Sequence, residues 1–368
     1  MIIPIYFAQD YTSEADLFMQ NYDLIKDITM PERKPTKLKL DKELVCRFCK
    51  RKKPDVTFSK DAHIIPELLG NRHLVSDFEC DSCNLKFGTT YEDHFAKFLG
   101  ISRTLEKVRG KDKVPTFKSS DNKLRAEKES FFGLQDSIVL SNTDAQSNAV
   151  NFDPLTGAGS IEVIKQPYRP LWAYKALLKM ALSCLDNSEM ANYESALQFL
   201  LTEKLDQVLG KICNCRAYLM PVGYGIKDPF VLLFKKRQTT LRMPTHLFAL
   251  FFKNSVYEIF LPVNLNDQKL YNGEPVSVYW CPPMFANLED AQNVQVRYND
   301  FDLSSSDLFA NDKETIQFQA DPEALKDLVR IDPLTGKVSP VDGNVHGTKK
   351  IILTPPGSHI DTSQFGRQ

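Results

Sequence analysis

Four of the eight cysteines come as two Cys-x-x-Cys pairs, Cys46 with Cys49 and Cys80 with Cys83, with 30 residues between the pairs. Each pair sets two thiols on one tight turn, and two such turns can close a tetrahedron of soft ligands of the kind that holds a structural zinc. No other feature of the chain restricts its fold as strongly, because residues 46 to 83 must then double back on themselves. Eight cysteines are too few for a disulfide scaffold in 368 residues, and paired cysteines in a reducing compartment read as metal ligands. Cys184, Cys213, Cys215 and Cys281 lack this pairing, and the single residue between Cys213 and Cys215 is the wrong spacing for a knuckle. These four are expected as buried core thiols.

Charge is segregated along the chain. The total is −1, from 46 Lys and Arg against 47 Asp and Glu. Residues 30–60 hold eleven bases, among them Arg33, Lys34, Lys37, Lys39 and Lys50-Arg51-Lys52-Lys53, against four acids, a net of +7. Residues 61–96 net −5, residues 97–128 net +6, and the remainder of the chain carries −9. Basic flanks suit phosphate neutralisation, and an acidic centre suits a divalent cation. The competing reading is a solvated surface of mixed charge. Composition is that of an ordinary folded protein, 42% hydrophobic and 25% charged, with no apolar run long enough to span a membrane. The apolar start from Met1 to Ala8 is too short for a secretion signal and has no basic stretch before it, so a cytoplasmic protein is expected.

Periodicity gives a coarse layout. A short helix is expected around Glu14 to Ile28, then an exposed Pro- and Lys-rich arm over 31–45. Asp61 to Pro66 reads as extended and stopped by its proline, and Leu69-Gly70-Asn71 as a turn. Phe87, Tyr91, Phe95, Phe98 and Leu99 line one face of a helix from Asn84 to Leu99, which Gly100 can end. Strands and turns are expected over 129–165, and helices from Pro170 to Leu201. Beyond Lys211 strands are expected at Ala217–Val222, Phe230–Lys235, Phe248–Phe252, Tyr257–Pro262 and Ser277–Trp280. The string Asp-Pro-Leu-Thr-Gly occurs at 153–157 and again at 332–336, where it reads as a turn signature and not a domain repeat.

Between the knuckles sits His63, with Asp61 just before it and Asn84 just after the second pair. A zinc-pinned hairpin followed by a helix would gather a neutral imidazole and hard oxygen ligands. Phosphodiester hydrolysis needs such a set: a base to activate water and a cation to stabilise the phosphorus and its leaving oxygen. The run Cys46-x-x-Cys49, Ala62-His63-Ile64-Ile65-Pro66, Gly70-Asn71, Cys80-x-x-Cys83-Asn84 and the stretch Phe87 to Phe95 resembles the HNH endonucleases of the ββα-metal, treble-clef zinc type, over about residues 40–115.

The resemblance implies His63 as general base and Asn84 at the catalytic ion, with Cys46, Cys49, Cys80 and Cys83 on a separate structural zinc. Many family members have an acid directly before the histidine and a middle asparagine nine residues before the last; here those places are Ala62 and Val75. The catalytic ion, Mg²⁺ or Mn²⁺, would then draw on Asp61, Asn84, Glu92 and His94, with Asp93 a weaker choice. Glu92 lies eight residues past Asn84, close to two helical turns. Lys50, Arg51, Lys52 and Lys53 on one side, and Arg103, Lys107, Arg109, Lys111 and Lys113 on the other, would grip phosphates. His73 reads as a loop residue or a phosphate contact. His246, His346 and His359 have no motif around them and read as structural or exposed.

The expected fold is α+β. A zinc-stapled ββα unit spans 1–128, a mixed helical and β-rich regulatory or recognition domain spans 129–345, and a tail spans 346–368. The expected function is a metal-dependent endonuclease on DNA, ranked ahead of RNA. Its C-terminal domain would serve recognition, oligomerisation or the sensing of an activating ligand. Some bacterial anti-phage effectors join an HNH nuclease to a cyclic-oligonucleotide sensor, and the length here is compatible, although no residue string marks such a sensor. The alternative is a non-catalytic zinc-ribbon protein that binds nucleic acid through a degenerate site, which Ala62 and Val75 would permit.

Overall fold

The computed structural model describes residues 6–29, 36–38, 44–131, 134–142, 149–202, 213–220, 226–237, 241–285, 288–320, 329–331, 337–341 and 350–354. Arg33, Lys34, Lys39, the second Asp-Pro-Leu-Thr-Gly string, His346, His359 and the end of the tail lie outside the described residues. Helices are α1 (Thr12–Asn21), α2 (Asp81–Phe87), α3 (Asp93–Phe98), α4 (Ser102–Leu105), α5 (Pro170–Cys184), α6 (Asn187–Met190), α7 (Glu194–Leu201) and α8 (Leu288–Asn293). No helix among the described residues is long and apolar enough to cross a membrane.

The α and β content is mixed, and the chain forms two compact units. The first joins 1–96 to 169–308, and the second joins 97–168 to 309–368. The consecutive division expected at 128 is not observed, since Lys128 lies inside the strand Leu124–Phe131. Charge and turn composition mark surface, whereas a core is decided by which strands pair. Strand Ala158–Ile164 pairs with Lys313–Gln319, which binds two segments remote in sequence into one unit. Within the expected tail, Lys350–Leu353 is a strand paired with Ile138 to Ser141.

In the first unit a six-stranded antiparallel sheet runs in the order 298–302, 214–219, 255–260, 246–253, 226–236 and 22–28. The central strand His246–Lys253 is buried along both faces through Phe252, which is why its sequence is a continuous apolar run and not an alternation. One face packs α1, where Phe18 meets Phe234 edge-on at 5.0 Å. The other face meets α3 and α5: Phe95 lies edge-on to Tyr257 at 5.9 Å, and the Tyr174 hydroxyl donates to the Phe260 carbonyl at 3.0 Å.

The helix expected over 14–28 stops at Asn21, because Tyr22–Ile28 is recruited as the sheet's edge strand beside 226–236. Local preference yields to pairing there. Ser277–Trp280, expected as a strand, has no regular structure. The four unpaired cysteines are buried, as expected.

Helix α5 opens on Pro170, whose fixed φ suits the first helical position. It is buried almost all round, Lys175 and Lys179 included, and is therefore a core helix and not an amphipathic surface one.

The second unit holds a four-stranded sheet (350–353, 134–142, 124–131, 117–118) and a three-stranded one (313–319, 158–164, 150–152). Ile138, Leu140, Leu124 and Ala126 of the former share a buried cluster with Val150, Ile161 and Val163 of the latter. Gly100 ends the helical run, as expected, with φ +57. An added Cβ there would lie 2.0 Å from the Glu314 carboxylate, which is held in place by the Ile101 N–H at 3.1 Å and the Ser102 hydroxyl at 3.2 Å. Gly100→Ala is expected to destabilise the protein by about 1–3 kcal/mol, from backbone strain and the displaced carboxylate together. Urea denaturation measures this, and a variant as stable as wild type would show that neither matters.

Candidate functional site

The two knuckles meet. Cys46 Sγ lies 3.8 Å from Cys83 Sγ, and Cys49 Sγ lies 3.7 Å from Cys80 Sγ. A tetrahedron with metal–sulfur bonds of about 2.3 Å has edges of about 3.8 Å, so the set fits a zinc. The separations are far too long for disulfides. Lys50, with φ +59, turns the first knuckle so that its N–H reaches the Cys46 carbonyl at 2.9 Å. Cys80 caps α2, and Cys83 sits in its first turn. Helix N-termini favour the thiolate form that a metal requires. Among the described residues, these four are the one group of three or more His, Cys, Asp or Glu side chains whose donor atoms converge within 4.8 Å.

His63 sits on the two-residue strand Ala62–His63, paired antiparallel with Leu74–Ser76 so that Val75 lies opposite it. Strands this short cannot hold their own register. Asn71 holds it for them. This buried side chain donates to the Ile65 and Leu74 carbonyls at 2.5 and 2.8 Å and accepts from the His73 and Leu74 N–H groups at 3.0 and 2.9 Å. All its hydrogen-bonding capacity closes the turn between the strands. Upstream, the Asp81 carboxylate accepts from the hydroxyls of Thr57 and Ser59 and from the N–H groups of Ser59 and Lys60, which fixes the approach to Asp61. Those donors hold Asp81 well below the usual carboxylate range, the Thr57 hydroxyl first.

The His63 side chain is one-fifth exposed, with Nε2 3.8 Å from Glu67 Oε1, and Glu67 also faces Arg72 at 3.5 Å. Its Nδ1 is buried without a hydrogen bond. Burial lowers its pKa, Lys179 and Arg72 push the same way, and Glu67 and Asp61 oppose. The imidazole is therefore neutral at pH 7 and able to accept a proton.

Lys179 of α5 is 1% exposed, and its ammonium donates to the His63 carbonyl at 2.7 Å. The same nitrogen pairs with Glu79 at 3.1 Å and Glu92 at 3.9 Å. Burial pushes Glu79 up to about 7 and raises Glu92, against the pull of Lys179 on both. Further contacts join the knuckle segment to the helices beyond 169. Arg47 donates to the Leu182 and Ser183 carbonyls at 2.8 and 2.9 Å, at the C-terminal end of α5. Lys86 reaches the Leu201 carbonyl at 2.7 Å, and the Tyr91 hydroxyl reaches Leu200 at 2.5 Å.

The other expected ion ligands fare differently. Asp61 is exposed beside His63, and Asn84 is half-buried in the interior of α2, not at its cap. Glu92 closes a π turn (Gly88–Glu92) between α2 and α3, so regular two-turn spacing from Asn84 does not apply, and its carboxylate faces Lys179. His94 is turned away to a structural contact. Its Nδ1 accepts from the Arg169 N–H at 2.7 Å, and its ring packs edge-on to Trp172 at 4.7 Å. Asp61, Glu92 and His94 thus do not converge as a ready-made cluster.

Among the basic residues, Lys50, Lys52 and Lys53 are exposed on the knuckle, Lys50 lying 3.8 Å from Glu194. Arg51 is spent on the thiol cluster: it donates to Cys49 Sγ at 3.5 Å and to the Ser82 hydroxyl at 3.2 Å. In the second unit Arg109 and Lys111 are exposed and Lys107 pairs with Asp136 at 2.9 Å. Arg103 is half-buried, and its pKa falls to about 10 through burial, which suits packing better than a phosphate grip. His246, expected as structural, is fully buried against the Tyr193 hydroxyl at 2.7 Å.

Sequence reasoning placed Asn71 in a turn without seeing that its side chain closes it, and missed Glu67, Glu79 and Lys179. Two lysines four residues apart inside the apolar run of α5 were the one available sign of a buried cation.

Cys80→Ser is expected to remove bound zinc and to lower the melting temperature, read by metal analysis and thermal denaturation. Asn71→Ala strands buried carbonyl and N–H groups and is expected to cost about 3 kcal/mol or more. Chemical denaturation checks it, and a loss under about 1 kcal/mol would mean that water replaces the amide.

No curated protein and no solved structure matches the chain. Over residues 46–99, the segment holding the four cysteines, His63 and Asn84, the chain matches the family model described as HNH endonuclease.

Proposed function

We propose that this protein is a metal-dependent endonuclease that hydrolyses phosphodiester bonds in DNA, built on a ββα-metal, treble-clef unit with a structural zinc. One observation carries the reading: a histidine that burial keeps neutral, on a strand pinned between two knuckles, within the matched segment. His63 takes the proton from a water aimed at the phosphorus, and the 3′ oxygen leaves. A divalent cation, Mg²⁺ or Mn²⁺, would stabilise the charge that develops on the phosphate and the leaving oxygen. Asp61, exposed and two residues before His63, and Asn84, half-buried in α2, are the residues that would hold it. Lys50, Lys52 and Lys53 would contact the nucleic-acid backbone. The sheet of the first unit and the whole second unit would serve recognition, assembly or control.

A second reading has one observation in its favour. The acids nearest His63 do not form a cluster, and Glu92 is paired with a lysine instead. On that reading the unit binds nucleic acid without cutting it.

Plasmid cleavage with Mg²⁺ or Mn²⁺ separates the two. His63→Ala is expected to slow cleavage by about 10² to 10⁴, the usual worth of a general base. Cleavage by the variant at the wild-type rate would remove the mechanism, and DNA binding without cleavage by either protein would favour the second reading. The rate should also rise with pH as His63 loses its proton. Because its pKa is depressed, the midpoint should fall below the ordinary histidine value of about 6.5 and the rate should be level at neutral pH. A midpoint above about 7 in the pH–rate profile would rule out His63 as the titrating base.

A further inference from the structure

We propose that Lys179 is the positioning residue for His63, supplied by α5 from outside the matched segment. Its catalytic consequence rests on the nuclease reading, but its structural content does not. A lysine ammonium removed from water is costly unless each of its donors finds an acceptor. Lys179 is 1% exposed; its ammonium donates to the His63 carbonyl at 2.7 Å and forms ion pairs with the carboxylates of Glu79 at 3.1 Å and Glu92 at 3.9 Å. The shortest contact is to the backbone of the candidate base itself.

That backbone needs an outside hold. The strand carrying His63 is two residues long, and the imidazole has no hydrogen bond on its buried nitrogen to set its angle. The ladder to Val75 fixes one side of the strand, and Lys179 fixes the carbonyl. The two carboxylates belong to the other parts of the unit, Glu79 to the approach to the second knuckle and Glu92 to the π turn. One ammonium thereby sets the distance between the base strand, the knuckle and the helix. Pre-organisation of this sort is what makes small displacements expensive: misplacing a reacting group by about 1 Å can slow a reaction about a hundredfold.

The test uses the full-length, zinc-loaded protein. Lys179→Met removes the cation, Lys179→Met with Glu79→Gln avoids leaving a bare buried carboxylate, and Lys179→Arg keeps charge and donors. Single-turnover plasmid cleavage, DNA affinity and zinc content are measured for each. The His63 ring signals are followed in ¹⁵N-histidine-labelled protein at one pH, assigned by their loss in His63→Ala. The expected result is a drop of about a hundredfold in the chemical rate of the two Met variants, with DNA affinity and zinc unchanged. Lys179→Arg should restore part of the rate, and the His63 signals should shift in the Met variants.

Wild-type cleavage by either folded Met variant overturns the proposal. If wild type does not cut DNA, the nuclease reading fails and the ring signals decide alone. Movement of those signals in the Met variants and not in the Arg variant supports positioning, and unmoved signals overturn it. Loss of zinc or of cooperative unfolding in all three variants would make Lys179 a folding strut and would also overturn it.

Discussion

Four thiols converging within 4.8 Å impose the geometry on which the candidate site depends. The elements between them are slight: a two-residue strand, a three-residue strand and one turn. Such pieces bury too little surface to be stable alone. A metal held by the four thiols would join their two ends, close the loop and supply folding free energy that the segment lacks. Inside the loop, Asn71 and Asp81 finish the work without metal. Asn71 spends its amide on backbone groups that flank the His63 strand, and Asp81 gathers the hydroxyls of Thr57 and Ser59 and the N–H groups of Ser59 and Lys60 just before it.

Outside the loop the dependence runs to the helices after residue 169. The cysteine segment gives these helices Arg47, Lys86 and Tyr91, and takes from them Lys179 and the Arg169 N–H. Arg47 illustrates why such contacts hold. Its guanidinium meets the last carbonyls of α5, where unpaired backbone acceptors and the helix dipole both favour a cation. The matched segment therefore does not end where its packing ends.

The parts legible in sequence were those with local causes. Cysteine spacing marked the knuckles, proline and glycine marked the ends of extended and helical runs, and apolar spacing marked the helix after Cys83 and the core strands. The parts that were not legible depend on distant partners. Tyr22–Ile28 looks like the continuation of a helix until the strand 226–236 is beside it. Glu92 looks like a metal ligand two turns from Asn84 until the π turn and Lys179 are seen. His94 looks equally suitable until its ring is found against Arg169 and Trp172. Charge runs did not show that exposed Arg51 also meets the Cys49 thiol, or that Arg103 is half-buried.

The split origin of the site has a bearing on how the protein is made. Translation delivers the cysteines and His63 to solvent well before α5 exists. A nascent chain extended to residue 99 already holds the whole matched segment, yet has no ammonium at the His63 carbonyl and no helix end for Arg47. The contacts arrive only when residues 169–202 leave the ribosome and dock. On the proposed nuclease reading, the strand that carries the base therefore stays without its outside hold until α5 has been made and has docked.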